Sequence, residues 1–114
     1  MIITVAGIAV ITPVFAALGL GAAVLRKPGK FNFSLLRIWN RMVSWLMGLK
    51  LSLTGAENVR PDTSYIITPN HQGMAEVVAL ASSLPMKFRG VVKRELYRIP
   101  VWGWALWASG AIGI

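Results

Sequence analysis

"YIITPNHQGMAEVVALASSLP", Tyr65 to Pro85, is the stretch whose reading decides the fold. Tyr65 to Pro69 is mostly apolar and β-branched, the composition of an interior strand. Pro69 and Asn70 close that run, and Gly73 frees the backbone for a turn. A helical pattern follows from Gly73 to about Leu84, where Pro85 stops it. Strand, turn and helix in immediate succession open an α/β arrangement.

Reading outward extends the pattern in both directions. Downstream, "KFRGVVKREL" predicts a strand around Phe88 to Lys93. "IPVWGWALWASG" predicts a helix with Pro100 at its first position and Gly110 as its C-terminal cap. "AIGI" begins one more apolar, strand-like run and ends the sequence. Upstream, "KLSLTG", Lys50 to Gly55, alternates apolar and polar residues as a half-buried strand does, and "AENVRPDTS" is a polar connection. The expectation is an α/β fold: the first part of a mixed or parallel sheet flanked by helices. A parallel sheet needs both faces covered and several strands, so a sheet with its last edge open at Ile114 is expected to be truncated.

The N-terminal half has a different character. Residues 1–25 carry no charged side chain. As a helix they would reach about 37 Å, against a hydrocarbon core of about 30 Å. Pro13 allows a kink, so spanning the bilayer and entering one leaflet both stay open. Arg26, Lys27 and Lys30 follow, and a positive cluster on that side predicts that what comes next lies on the cytoplasmic face. From Lys30 to Lys50, the residues Lys30, Ser34, Arg37, Arg41, Ser44 and Gly48 trace one polar stripe on an otherwise apolar helix. Trp39 and Trp45 flank it, the composition of a helix lying in a membrane interface. The division expected is thus a membrane-anchoring two-helix unit over residues 1–49 and a partial α/β domain over 50–114.

Composition narrows the chemistry. The 114 residues are 55% hydrophobic and only 14% charged, with five tryptophans, a balance that favours a membrane partner. There is no cysteine and one histidine, which removes thiolate chemistry and predicts no metal site. Twelve Lys and Arg against four Asp and Glu give a net charge of +8. That suits anionic head groups and phosphate-bearing substrates; nucleic acid is not expected, because the cations border apolar runs and no binding motif appears.

The single histidine, His71, precedes the 73–84 helix, and Glu76 falls in its first turn. Residues five apart do not share a helix face, so the two meet only if His71 folds back over that turn. A carboxylate at one ring nitrogen would fix the tautomer and stabilise the imidazolium formed when the other nitrogen takes a proton. The helix N-terminus would favour the ionised acid and a nearby anion. Such a pair suits a general base that deprotonates an alcohol. There is no "GxSxG" to supply a nucleophile of the protein's own.

Two ordered segments carry a resemblance. "NHQGMAEVVAL" followed by "VVKRELYRIPVWGWALWASGAIGI" resembles the 1-acylglycerol-3-phosphate acyltransferase family of phospholipid synthesis. That family has Asn-His with an acid five residues on, then "K-x-E-L-x-x-I-P-x-x-G" leading to "G-x-I-x-I". The matching positions here are Asn70, His71 and Glu76, then Lys93, Glu95, Leu96, Ile99, Pro100 and Gly103, ending in Gly110, Ile112 and Ile114. "LSLTGAENV" also resembles the strand and "G-x-E-N" turn of the family. The resemblance implies acyl transfer from acyl-CoA or acyl-carrier protein to the free hydroxyl of lysophosphatidic acid, giving phosphatidic acid at a membrane, with no cofactor. It implies His71 as the base, Glu76 as its orienting acid, and Asn70 and Lys93 in substrate binding. The sequence departs from the family in having Glu where Asp is usual, and in ending before the arginine of "I-x-I-D-R" and the later "E-G-T-R". The rival expectation is an inactive membrane-anchored module that binds lipid or protein.

Overall fold

A computed structural model describes residues 1–25, 30–70, 72–84 and 86–114. Its helices are α1 (Ile2–Val24), α2 (Lys30–Leu46), α3 (Met74–Ser83) and α4 (Trp102–Ala108). Two short strands, β1 (Val91–Val92) and β2 (Ile112–Gly113), and 3-10 turns at Ala56–Asn58 and Arg94–Arg98 complete the regular structure.

The 23 residues of α1 form a helix through Pro13. Only Ala16, Gly19 and Ala22 are buried, so the small-residue face is the packed one and the bulky residues point outward. It is the one described helix long and apolar enough to cross a membrane. Its inner face meets α2 and α4 along much of its length. Gly7 lies against Leu46, Thr4 Oγ1 donates to the Leu46 carbonyl at 3.2 Å, and Trp39 Nε1 donates to Thr12 Oγ1 at 3.2 Å. Gly19 lies against Ala108.

The second helix sits between α1 and α3. It ends in a Schellman turn, with Gly48 N donating to Trp45 O and Leu49 N to Ser44 O. Its polar stripe does not stay on one outward face. Ser44 is buried against Ser82 of α3, their hydroxyls 3.2 Å apart, and Arg37 donates to the Leu84 carbonyl at the end of α3. Phe31, Ile38, Met42 and Trp45 are exposed instead, with Arg41 among them. Residues 1–49 and 50–114 therefore share one packed interior, centred on Ala16, Ala22, Val43, Val78 and Ala81.

The sheet is smaller than the sequence predicts. β1 and β2 pair in parallel, Val91 with Ile112 and Val92 with Gly113, and the crossover between them contains α4. Ile112 N donates to Gly90 O, Ile114 N to Val92 O and Arg94 N to Ile114 O. Neither Lys50–Gly55 nor Tyr65–Pro69 joins a ladder among the described residues, and Ile66 is 94% exposed. Composition suited to a strand makes no strand without a neighbour to hydrogen-bond it. The α/β order survives in the β1–α4–β2 unit, within a structure that is mostly helical.

The expected 73–84 helix is α3. The expected 100–110 helix starts later: Trp102 N donates to Pro100 O in a γ-turn whose centre, Val101, has φ +66°. Gly110 ends α4 at φ +75°, where an L side chain would be strained. Gly103 is required for a different reason. A Cβ there would lie 2.1 Å from the carbonyl oxygen of Tyr97, while one at Gly21 would meet nothing within 4 Å. Gly103→Ala is therefore expected to cost about 1–3 kcal/mol as an overpacked site. Gly21→Ala should be neutral or stabilise by up to ~1 kcal/mol. Thermal unfolding of both variants in one detergent checks the pair.

Candidate active site

The junction between residue 69 and α3 holds two of the four candidate positions, Asn70 and Glu76. Gly73 is the N-cap of α3, and its N–H and that of Gln72 precede the helix and need an acceptor outside its backbone ladder. Glu76, the third residue of the helix, supplies it. Its Oε1 accepts from the N–H of Gly73 at 2.9 Å and from the N–H of Gln72. The carboxylate thereby binds the backbone that leads into the helix, as the acid of a capping box does. Its charge is also favoured by the N-terminal end of the helix dipole.

Asn70 is exposed at the end of the 65–70 run, directly before this clamp. His71 lies outside the described residues. Lys93 belongs to another element: it is exposed at the C-terminal end of β1, where it precedes the Arg94–Arg98 turn. Among the described residues no group of three His, Asp or Glu side chains that could hold a metal comes together.

Two features beside α3 were not visible as site elements in the sequence. One is the seam that holds the helix, Arg37 on Leu84 O and Ser44 on Ser82. The other is a cavity of about 190 Å³ on its inner side, lined by apolar residues that include Leu35, Trp39, Val77, Val78, Phe88 and Leu106. Val77 and Val78 directly follow Glu76, so the cavity reaches the same end of α3 as the clamp. Asn32 also lines it. That side chain is 5% exposed and donates to Ala108 O at 2.8 Å, while its Oδ1 is buried without a partner. The apolar composition of these segments gave no sign that they enclose a space.

Residues 50–114 match the family model described as Acyltransferase, more than half of the chain, and the chain belongs to that family. Its relatives narrow the class to the 1-acyl-sn-glycerol-3-phosphate acyltransferases. The chain is 27% identical over 99 residues to the human 1-acyl-sn-glycerol-3-phosphate acyltransferase alpha, covering 87% of this chain and 35% of the relative. It is 28% identical over 83 residues to the 1-acyl-sn-glycerol-3-phosphate acyltransferase of Borreliella burgdorferi, covering 73% and 33%. To the chloroplastic LPAT1 enzyme of Arabidopsis thaliana it is 30% identical over 84 residues, covering 73% and 23%. The chain thus spans about a third or less of the length of these relatives. No solved structure matches it significantly.

The clamp separates two roles of Glu76. Glu76→Ala removes the acceptor and should cost about 1 kcal/mol of stability, the usual value of a cap. Glu76→Gln keeps an oxygen for the two N–H groups and should cost less than ~0.5 kcal/mol. Urea or thermal unfolding of the two variants measures the difference.

Proposed function

We propose that this protein transfers a fatty acyl group from acyl-CoA or acyl-carrier protein to the free hydroxyl of lysophosphatidic acid, giving phosphatidic acid. His71 acts as general base and takes the hydroxyl proton as the acceptor oxygen attacks the thioester carbonyl. The tetrahedral intermediate collapses, the C–S bond breaks, and the departing sulfur takes that proton back from the imidazolium. The products are an ester and a thiol, and no cofactor enters. Glu76 orients the imidazole, Asn70 and Lys93 bind substrate, and the α/β part lies on the cytoplasmic face of the membrane.

The observation that carries this reading is the clamp of Glu76 on the N–H groups of Gln72 and Gly73. It fixes the backbone beside His71 to the start of a helix, so a base there would be held by the scaffold rather than by a loose turn. Membership of the acyltransferase family supplies the reaction class, and the named activity of the relatives supplies the substrate class. The apolar cavity behind Val77 and Val78 suits an alkyl chain.

His71→Ala is expected to lower kcat by about 10²–10⁴-fold, the usual contribution of a general base. Glu76→Gln should lower kcat while leaving unfolding unchanged, which a purely structural cap would not do. Acyl transfer by the parent and both variants, followed with radiolabelled acyl donor, decides the matter; full activity in His71→Ala would remove His71 from the chemistry, and no turnover by the parent would leave the inactive membrane module as the better account. Lys93→Ala should raise the KM for the phosphate-bearing acceptor by roughly tenfold with little change in kcat, as loss of one charge-assisted contact does. An unchanged KM would return Lys93 to the solvent-facing end of β1.

A further inference from the structure

The five tryptophans fall into two kinds. Trp39 and Trp102 are half-buried, their rings edge to face at 5.7 Å and the Trp39 indole N–H held by Thr12. Trp45, on α2, is 80% exposed. Trp104 and Trp107 are 51% and 61% exposed. They are the two exposed positions of α4, and three residues apart they lie on one face.

Beside this face α4 is packed on α1. Ala108 meets Gly19, and Val101 and Trp102 share a surface recess with Val5, Ile8, Thr12 and Pro13. The exposed indoles therefore stand on a helix laid along the most apolar helix in the chain. The outward positions of that helix, Val10, Val14 and Leu18, are apolar and exposed as well.

The segments next to α4 in the sequence are cationic. Lys87, Arg89, Lys93, Arg94 and Arg98 are all exposed, and Glu95 is the sole carboxylate after Glu76. The Arg94–Arg98 turn rests on α4 through the contact of Tyr97 with Gly103, and Arg89 reaches the other end of the helix at Gly110. Indoles favour the boundary between acyl chains and head groups, and guanidinium groups beside them suit lipid phosphates. A polar protein partner would not call for that combination.

We propose that the Trp104–Trp107 face of α4 is a second membrane contact, distinct from the N-terminal helices, which seats residues 50–114 on an anionic lipid surface. The proposal rests on the reading of the protein as one that works at a membrane.

The test uses the full chain with vesicles of phosphatidylcholine and phosphatidylglycerol whose acyl chains carry bromine, a contact quencher of indole. The parent protein is expected to be quenched, and W104F/W107F to lose about half or more of that quenching, since interfacial indoles are those that reach the bromine. W104S/W107S should bind the same vesicles several-fold more weakly and keep its turnover of detergent-dispersed substrate. Equal quenching in parent and W104F/W107F would overturn the proposal. So would vesicle binding unchanged in W104S/W107S, or turnover lost in detergent, which would make the indoles part of the fold. A parent protein that ignores the vesicles overturns both this proposal and the membrane reading. Quenching as expected without acyl transfer sinks only the reaction assigned above.

Discussion

The placement of α3 depends on the hydroxyl pair that joins it to α2. Ser44 and Ser82 are both buried, where an unpartnered hydroxyl costs about 1–3 kcal/mol. Ser82 has one proton, and it is used on the Val78 carbonyl 2.7 Å away. Ser44 must then be the donor across the 3.2 Å gap between the helices. A ten-residue helix is too short to be stable by itself, so this bond and its surrounding contacts set where α3 lies. Arg37 satisfies the carbonyl of Leu84 at one end of that helix, and Glu76 satisfies N–H groups at the other. Both ends of α3 are thus closed by side chains, and the end that carries Glu76 is the one the acyltransferase reading uses.

The helices were legible in the sequence because their signals are local. Residues 2–24 without a charge, the 3.6-residue period from Lys30, and the Gly and Pro punctuation around α3 and α4 all act within a few turns. The strands were legible only in part: β1 and β2 fall within the expected Phe88–Lys93 and "AIGI" runs, but the two expected strands before them form no ladder among the described residues. Val91–Val92 and Ile112–Gly113 pair, while the more strand-like Tyr65–Pro69 does not, because a ladder is a property of two segments and composition describes one. The polar stripe of α2 was visible, yet its orientation was not: Arg37 and Ser44 turn inward to α3, and the exposed face carries Ile38, Met42 and Trp45. The tryptophan count pointed to a membrane, but Trp39 and Trp102 are half-buried and pack on each other.

The candidate site divides along the same line. Glu76 in the first turn of a helix is readable from spacing alone, and so is the value of a carboxylate there. That a single oxygen of it would bind the N–H groups of both Gln72 and Gly73 is a detail of geometry. The cavity behind Val77 and Val78 is less accessible still to sequence reasoning. It is bounded by α1, α2, α3, α4 and β1 together, so no single segment predicts it.

The contact of Gly19 with Ala108 spans most of the chain, and that has a consequence for synthesis. At about 5–20 residues per second, a ribosome needs roughly 4–18 s to travel from one to the other. The α1–α2 hairpin exists for most of that interval before α4 emerges to cover its small-residue face. During the wait the part of α1 around Gly19 lacks the partner that α4 gives it in the folded chain, so its apolar surface needs other shelter while the chain is being made.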